Sequence, residues 1–150
     1  MDETQLLLGN QLCFPVYSAS KLITKAYKPH LDRLGVTYPQ YLVLLVLWEQ
    51  DLQTIHEIKQ KLLLDTNTLS PMLKRMEKME LLHRKRSKTD ERSVIIMLTA
   101  QGKNLRKQAL QIPEQLMTSM ACEDMNQAGL IQLRDTLSVL IQQLQKIVNK

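Results

Sequence analysis

Apolar residues recur along most of this chain at helical spacing, interrupted once by a short β-branched run. Leu8, Leu12, Val16, Ala19, Ile23 and Tyr27 repeat at threes and fours and predict an amphipathic helix over residues 6–27. Pro15 falls inside it, so either the helix bends there or an earlier turn ends and a helix restarts at Pro15. Pro29 is expected to end the region, leaving 31–35 as a short helical turn closed by Gly35. Thr37 then reads as an N-cap, with Tyr38 and Pro39 in the opening turn and Gln40 at the capping-box position. Residues 41–49 are apolar nearly all round, the pattern of a central packed helix anchored by Trp48.

The stretch 54–99 organises the rest. Ile55, Ile58, Leu62 and Leu63 predict a short helix over 55–63. Asp65, Thr66, Asn67 and Thr68 follow, residue types that cap helices with side-chain oxygens. A second helix places Leu69, Met72, Leu73 and Met76 inward and Ser70, Lys74, Arg75 and Lys78 outward. Pro71 belongs in or near a first turn, which argues for a start near Asn67 or Thr68, or a bent first turn. After Leu82 the pattern turns to strand: His83 to Arg86, a polar turn over 87–91, then the apolar run 93–98.

Helix, turn, helix and basic hairpin make a winged helix. The expected fold is mainly α, a winged helix-turn-helix over about 37–99 within a single domain of 1–150. Thr99 caps a further helix with Leu105, Ala109, Ile112, Leu116, Met117 and Met120 on its buried side, which Pro113 is expected to kink rather than end. A break at 122–124 precedes a last helix over about 126–148. Its stripe of Leu130, Leu133, Leu137, Leu140, Ile141, Leu144 and Ile147 is broad enough to face both the first helix and a second copy of the chain. Residues 5–30 and 100–150 are therefore expected to supply dimerisation helices.

Charge sharpens this reading. Between residues 66 and 92 stand eight Lys or Arg against four Asp or Glu, which puts +4 of the chain's +5 in one module. Positive charge so confined is the footprint of a nucleic-acid binder. Thr66, Thr68 and Ser70 can approach base edges in a major groove. Lys74 and Arg75, a turn on, can reach phosphate or guanine. Lys88 and Arg92 at the hairpin tip can follow the backbone or enter a minor groove. The implied partner is double-stranded operator DNA, held by a homodimer on two half-sites. No apolar run reaches the ~18 residues of a membrane span, and residues 2 and 3 are acidic, so a cytoplasmic protein is expected.

The remaining chemistry is sulfur. His30, His56 and His83 lie on separate elements without metal-ligand spacing, and no phosphate-cradling glycine loop occurs, so neither metal nor cofactor is expected. A lone cysteine between Leu12 and Phe14 is ordinarily a small core residue. A reactive one needs its thiolate stabilised. Pro15 can place Cys13 near a helix start, and Tyr17, Tyr27 and Tyr38 can bring phenol donors, from the same chain or a partner. Cys122 stands far from Cys13 in sequence, at a helix end.

The segments 10–14, 17–20, 27–29, 34–41 and 64–71, with Lys74-Arg75-Met76-Glu77 and the hairpin tip Arg86 to Arg92, resemble the MarR family. More narrowly they resemble the organic hydroperoxide resistance regulators. The resemblance covers essentially the whole chain and is weaker in the C-terminal third. It implies a homodimeric winged-helix repressor and not an enzyme. Cys13 would be the sensor of organic hydroperoxides, Tyr27 and Tyr38 would hydrogen-bond it across the dimer, and Arg92 would enter the minor groove. Cys122 would match the resolving cysteine of a two-cysteine subgroup, with a small thiol as its alternative. Two readings stand beside it: a MarR-type regulator answering a small phenolic ligand or a general thiol oxidant, and a thiol peroxidase.

Overall fold

The computed structural model describes residues 3–87, 90 and 92–149, and divides into two compact units, 1–110 and 111–150. The first contains two short 3-10 turns and then α1 (Cys13–Leu34), α2 (Tyr38–Glu49), β1 (Gln53–Thr54), α3 (Ile55–Leu62), α4 (Thr66–Lys78), β2 (Leu82–Arg86), β3 (Val94–Leu98) and α5 (Ala100–Ala109). The second contains α6 (Ile112–Met120) and α7 (Gln127–Val148). Among the described residues no helix is long and apolar enough to cross a membrane.

α1 starts at Cys13, so Pro15 sits in its first turn, where no backbone donor is required. The helix then runs through Pro29, which does not end it as expected. The stop is Gly35, at φ 70 in the left-handed region, whose N–H donates to the Asp32 carbonyl while Val36 N–H reaches back to Leu31. The predicted stripe from Leu8 to Tyr27 is not buried within the chain. Of the whole helix only Leu31 is, at 2% exposure.

α2 opens as the sequence predicts, with Thr37 N–H donating to Gln40 Oε1 at 2.8 Å. It buries Tyr41, Val43, Leu44, Val46, Leu47 and Trp48. α3 is capped by Thr54, whose hydroxyl accepts from Glu57 N–H while Thr54 N–H donates to the Glu57 carboxylate. Leu63, expected on the inner face, is the left-handed residue past the helix end and is 57% exposed. α4 begins at Thr66, ahead of the predicted start, and carries Pro71 in its interior. Burial of Leu69, Met72, Leu73 and Met76 holds the helix in spite of the missing donor.

The sheet has strand order β1-β3-β2, all antiparallel. Leu82 faces Leu98 and Arg86 faces Val94. β1 has no counterpart in the sequence pattern: two residues, Gln53 and Thr54, pair with Ile96 and Ile95. Asp51 explains it, since its Oδ1 accepts from Leu98 N–H and Leu52 N–H, both at 2.9 Å, and fastens the turn to the end of β3. The predicted continuous helix after Thr99 is broken at 110 and 111. Pro113 has no N–H to donate one turn back, so it sits in the first turn of a new helix rather than kinking an old one.

Candidate functional site

α4 owes its amphipathic split to Leu69, Leu73 and Met76, which are fully buried and orient the opposite face outward. Thr66, Thr68, Lys74 and Arg75 are exposed there, and Ser70 is half-buried. Neither Lys74 nor Arg75 has an ion-pair partner among the described residues. The hairpin ends in a turn organised by Asp90. Its Oδ1 accepts from Arg92 N–H at 3.0 Å and its Oδ2 from Ser93 Oγ at 2.6 Å. Those bonds hold the Asp90 carboxyl below its ordinary range, the Ser93 hydroxyl contributing most. Arg92 is thereby presented on a fixed backbone with its side chain exposed. Lys88 lies outside the described residues.

A cleft of about 290 Å³ opens where α3, α4 and the base of the wing meet. Thr66 and Ser70 of α4 and Arg92 of the wing line it, and so do His56 and Lys59 of α3. Two of the three predicted hydroxyl residues, Thr66 and Ser70, therefore share one surface with the wing arginine, and Thr68 is exposed on α4 without lining the cleft.

The thiol lies elsewhere. Cys13 is the first residue of α1 and is exposed, not a core residue. Its sulfur has no hydrogen-bond partner among the described residues. Tyr17 stands one turn on, 61% exposed, with Lys21 Nζ 5.1 Å from its ring centroid. Tyr27 is fourteen residues along the same helix, about 21 Å at 1.5 Å per residue. Tyr38 packs on Tyr27, ring centroids 5.0 Å apart. Within one chain, then, neither Tyr27 nor Tyr38 reaches Cys13. Of the two sources left open, same chain or partner, the same chain is excluded for these two phenols.

Tyr41, which the apolar pattern of 41–49 marks only as core, completes this aromatic group. It is 5.7 Å from Tyr27 and 6.1 Å from Trp48. The signal was available: Tyr38 and Tyr41 are three apart and so share a face of α2. Burial pushes all three phenols up. Tyr38 also raises Tyr27, and Tyr27 and Tyr38 add to the burial that carries Tyr41 to about 12. All three are O–H donors at neutral pH.

Comparison with known proteins gives the arrangement its context. The family model described as transcriptional regulator SarA/Rot matches residues 25–109. The chain is 47% identical over 137 residues to the organic hydroperoxide resistance transcriptional regulator of Bacillus subtilis, covering 91% of each. The chain belongs to the MarR-like transcriptional regulators of the SarA/Rot family. Among solved structures, reduced AbfR bound to DNA matches with a TM-score of 0.81 and 35% identity over 99% of both chains. AbfR of Staphylococcus epidermidis matches with a TM-score of 0.77 and 34% identity, over 99% of this chain and 98% of that one.

This MarR-like regulator is thus a winged helix-turn-helix protein, not an enzyme, and the thiol peroxidase reading is set aside. One cation counted in its basic module has a structural task. Arg84 N–H donates to Glu77 Oε1 at 2.9 Å and its guanidinium stands 3.7 Å from Glu77 Oε2, tying β2 to α4. In the second unit of the regulator, Cys122 is exposed in a tight turn. Cys122 N–H donates to the Met125 carbonyl at 2.9 Å and Met125 N–H returns to the Cys122 carbonyl.

Proposed function

We propose that this regulator is a cytoplasmic homodimeric repressor that binds palindromic operator DNA and releases it when an organic hydroperoxide oxidises Cys13. The observation that carries the reading is the exposed thiol at the first residue of α1, distant in its own chain from the half-buried phenols Tyr27 and Tyr38. A second copy antiparallel to the first would bring those phenols to the sulfur and stabilise its thiolate by O–H donation. The single MarR-type domain then comprises the winged helix of about 37–99 and dimerisation helices at about 5–30 and 100–150. The B. subtilis relative, named for organic hydroperoxide resistance, supports the choice of oxidant. The DNA-bound AbfR structure supports the choice of partner.

In the chemistry, the Cys13 thiolate attacks the distal peroxide oxygen. The O–O bond breaks, the alkoxide leaves and takes a proton to become an alcohol, and sulfur becomes sulfenic acid. A second thiol, Cys122 of the other subunit or a small thiol, then displaces water and forms a disulfide. DNA is released because the oxidised dimer fits the two half-sites less well than the reduced one. Thr66, Thr68, Ser70, Lys74, Arg75, Lys88 and Arg92 form the DNA face.

The test is operator binding with and without cumene hydroperoxide. Wild type should lose DNA on oxidation and Cys13→Ser should hold it in both conditions; a Cys13→Ser protein that still responds to peroxide ends the sensor role. On non-reducing gels, oxidised wild type should run as a linked dimer and Cys122→Ser as a monomer. A monomeric wild type carrying a small-thiol adduct would assign the resolving step to that thiol.

A further inference from the structure

The cleft between α3, α4 and the wing contains more than the residues assigned to DNA above. His56 and Lys59 are three apart on α3 and so lie on one face of it, while Ile58 between them is fully buried. The neighbouring acid, Glu57, is engaged in the cap, where Thr54 N–H and hydroxyl both donate to its carboxylate at 2.7 Å. These bonds hold the Glu57 carboxyl below its ordinary range. His56 and Lys59 meet Thr66 and Ser70 of α4 and Arg92 of the wing around about 290 Å³ of open space. Among the described residues no Asp or Glu lines that space. Lys59 and Arg92 have no ion-pair partner among the described residues. Ile55 and Val94 complete the wall, and the hydroxyls of Thr54 and Ser93 already donate to Glu57 and Asp90. The polar part that faces the opening is therefore His56, Lys59, Thr66, Ser70 and Arg92, a set of N–H and O–H donors that suits an anion.

We infer that this cleft seats one backbone phosphate of duplex DNA and that His56 and Lys59 are phosphate contacts of the regulator. The inference rests on the DNA-binding reading. Three parts of the protein converge on one anion there, so the contact would set the angle at which α4 enters the groove without reading sequence itself. A phosphodiester is favoured over a free anion because the cleft is open and continuous with the exposed polar face of α4.

The experiment titrates wild type, Lys59→Gln, Lys59→Arg and His56→Gln against two duplexes over a range of KCl. One duplex is selected from a random pool by the wild type; the other is its scramble. Lys59→Gln should weaken binding to both by roughly three- to tenfold and flatten the slope of log K against log salt by about 0.9. Lys59→Arg should restore both, and His56→Gln should weaken both duplexes alike. Unchanged affinity and slope in Lys59→Gln overturns the inference, as does a loss confined to the selected duplex. So does inorganic phosphate binding that Lys59→Gln abolishes while its DNA affinity stays at the wild-type level. A wild type that enriches no duplex from the pool and leaves the scramble unbound would instead refute the DNA-binding reading.

Discussion

Tyr41 shows how one side chain serves both core and site. Its ring is 1% exposed and touches both Tyr27 and Trp48, so it joins the phenol group to the centre of the winged module. Its phenol, pushed to about 12, gives a pH prediction. Above the ordinary value of 10 the unfolded chain loses the Tyr41 proton while the folded chain keeps it. Stability is therefore fully present below pH 10 and is lost as pH rises toward 12, by about 1.4 kcal/mol per pH unit for this residue. Tyr27 and Tyr38, also raised, act in the same direction. Urea unfolding at pH 9, 10 and 11 measures it, and Tyr41→Phe should flatten the fall; an equal fall in both proteins would assign the loss to other groups.

Among the elements, α5 is fastened at its start through both side chain and backbone. Thr99 caps it by accepting from Gly102 N–H at 3.0 Å, and the Thr99 hydroxyl donates to the Glu80 carbonyl. The Gly102 carbonyl accepts from Trp48 Nε1 at 2.9 Å. A Cβ at Gly102 would lie 2.1 Å from the Leu81 carbonyl oxygen, so the helix start and the α4–β2 turn approach as backbone to backbone. Gly102→Ala should destabilise the protein by about 3 kcal/mol, because backbone rather than a pliant side chain must move. Chemical denaturation followed by the fluorescence of Trp48, the chain's one tryptophan, reads both the loss and the altered indole environment. A variant as stable as wild type would show that the turn gives way freely.

At the scale of the whole molecule, apolar surface is what stands out. α1 exposes Phe14, Val16, Leu22 and Ile23, with Leu12 exposed just before it, and α7 exposes Ile131, Leu133, Val139, Ile141, Leu144 and Ile147 and buries nothing. Helices so apolar are stable in water when something covers them, and a second copy is the occupant that the dimeric reading supplies. The double change Ile141→Glu with Leu144→Glu should shift the protein from dimer to monomer in analytical ultracentrifugation. Operator affinity should fall at least about tenfold as the two half-sites cease to be gripped together. A variant that stays dimeric with undiminished affinity would take α7 out of the interface.

The parts legible in the sequence are those set by neighbours within a turn or two. The capping pair of Thr37 and Gln40 and the inward set of Leu69, Met72, Leu73 and Met76 depend on contacts from i to i+4. So does the stop at Gly35, and the hairpin's alternation is equally local. The basic module and its family resemblance came through for the same reason. What only the tertiary structure decided involves partners distant along the chain. Pro71 stays inside its helix because packing outweighs one lost hydrogen bond, and α1 runs on through Pro29 to the stop at Gly35; β1 exists because Asp51 fastens it to β3. Arg84 is drawn from the cationic face to Glu77, Tyr27 cannot reach Cys13 because a continuous helix holds them apart, and His56 and Lys59 join Arg92 only when α3 folds against the wing. Local periodicity sets which residues can share a face; the free energy of burial between distant segments decides which faces meet.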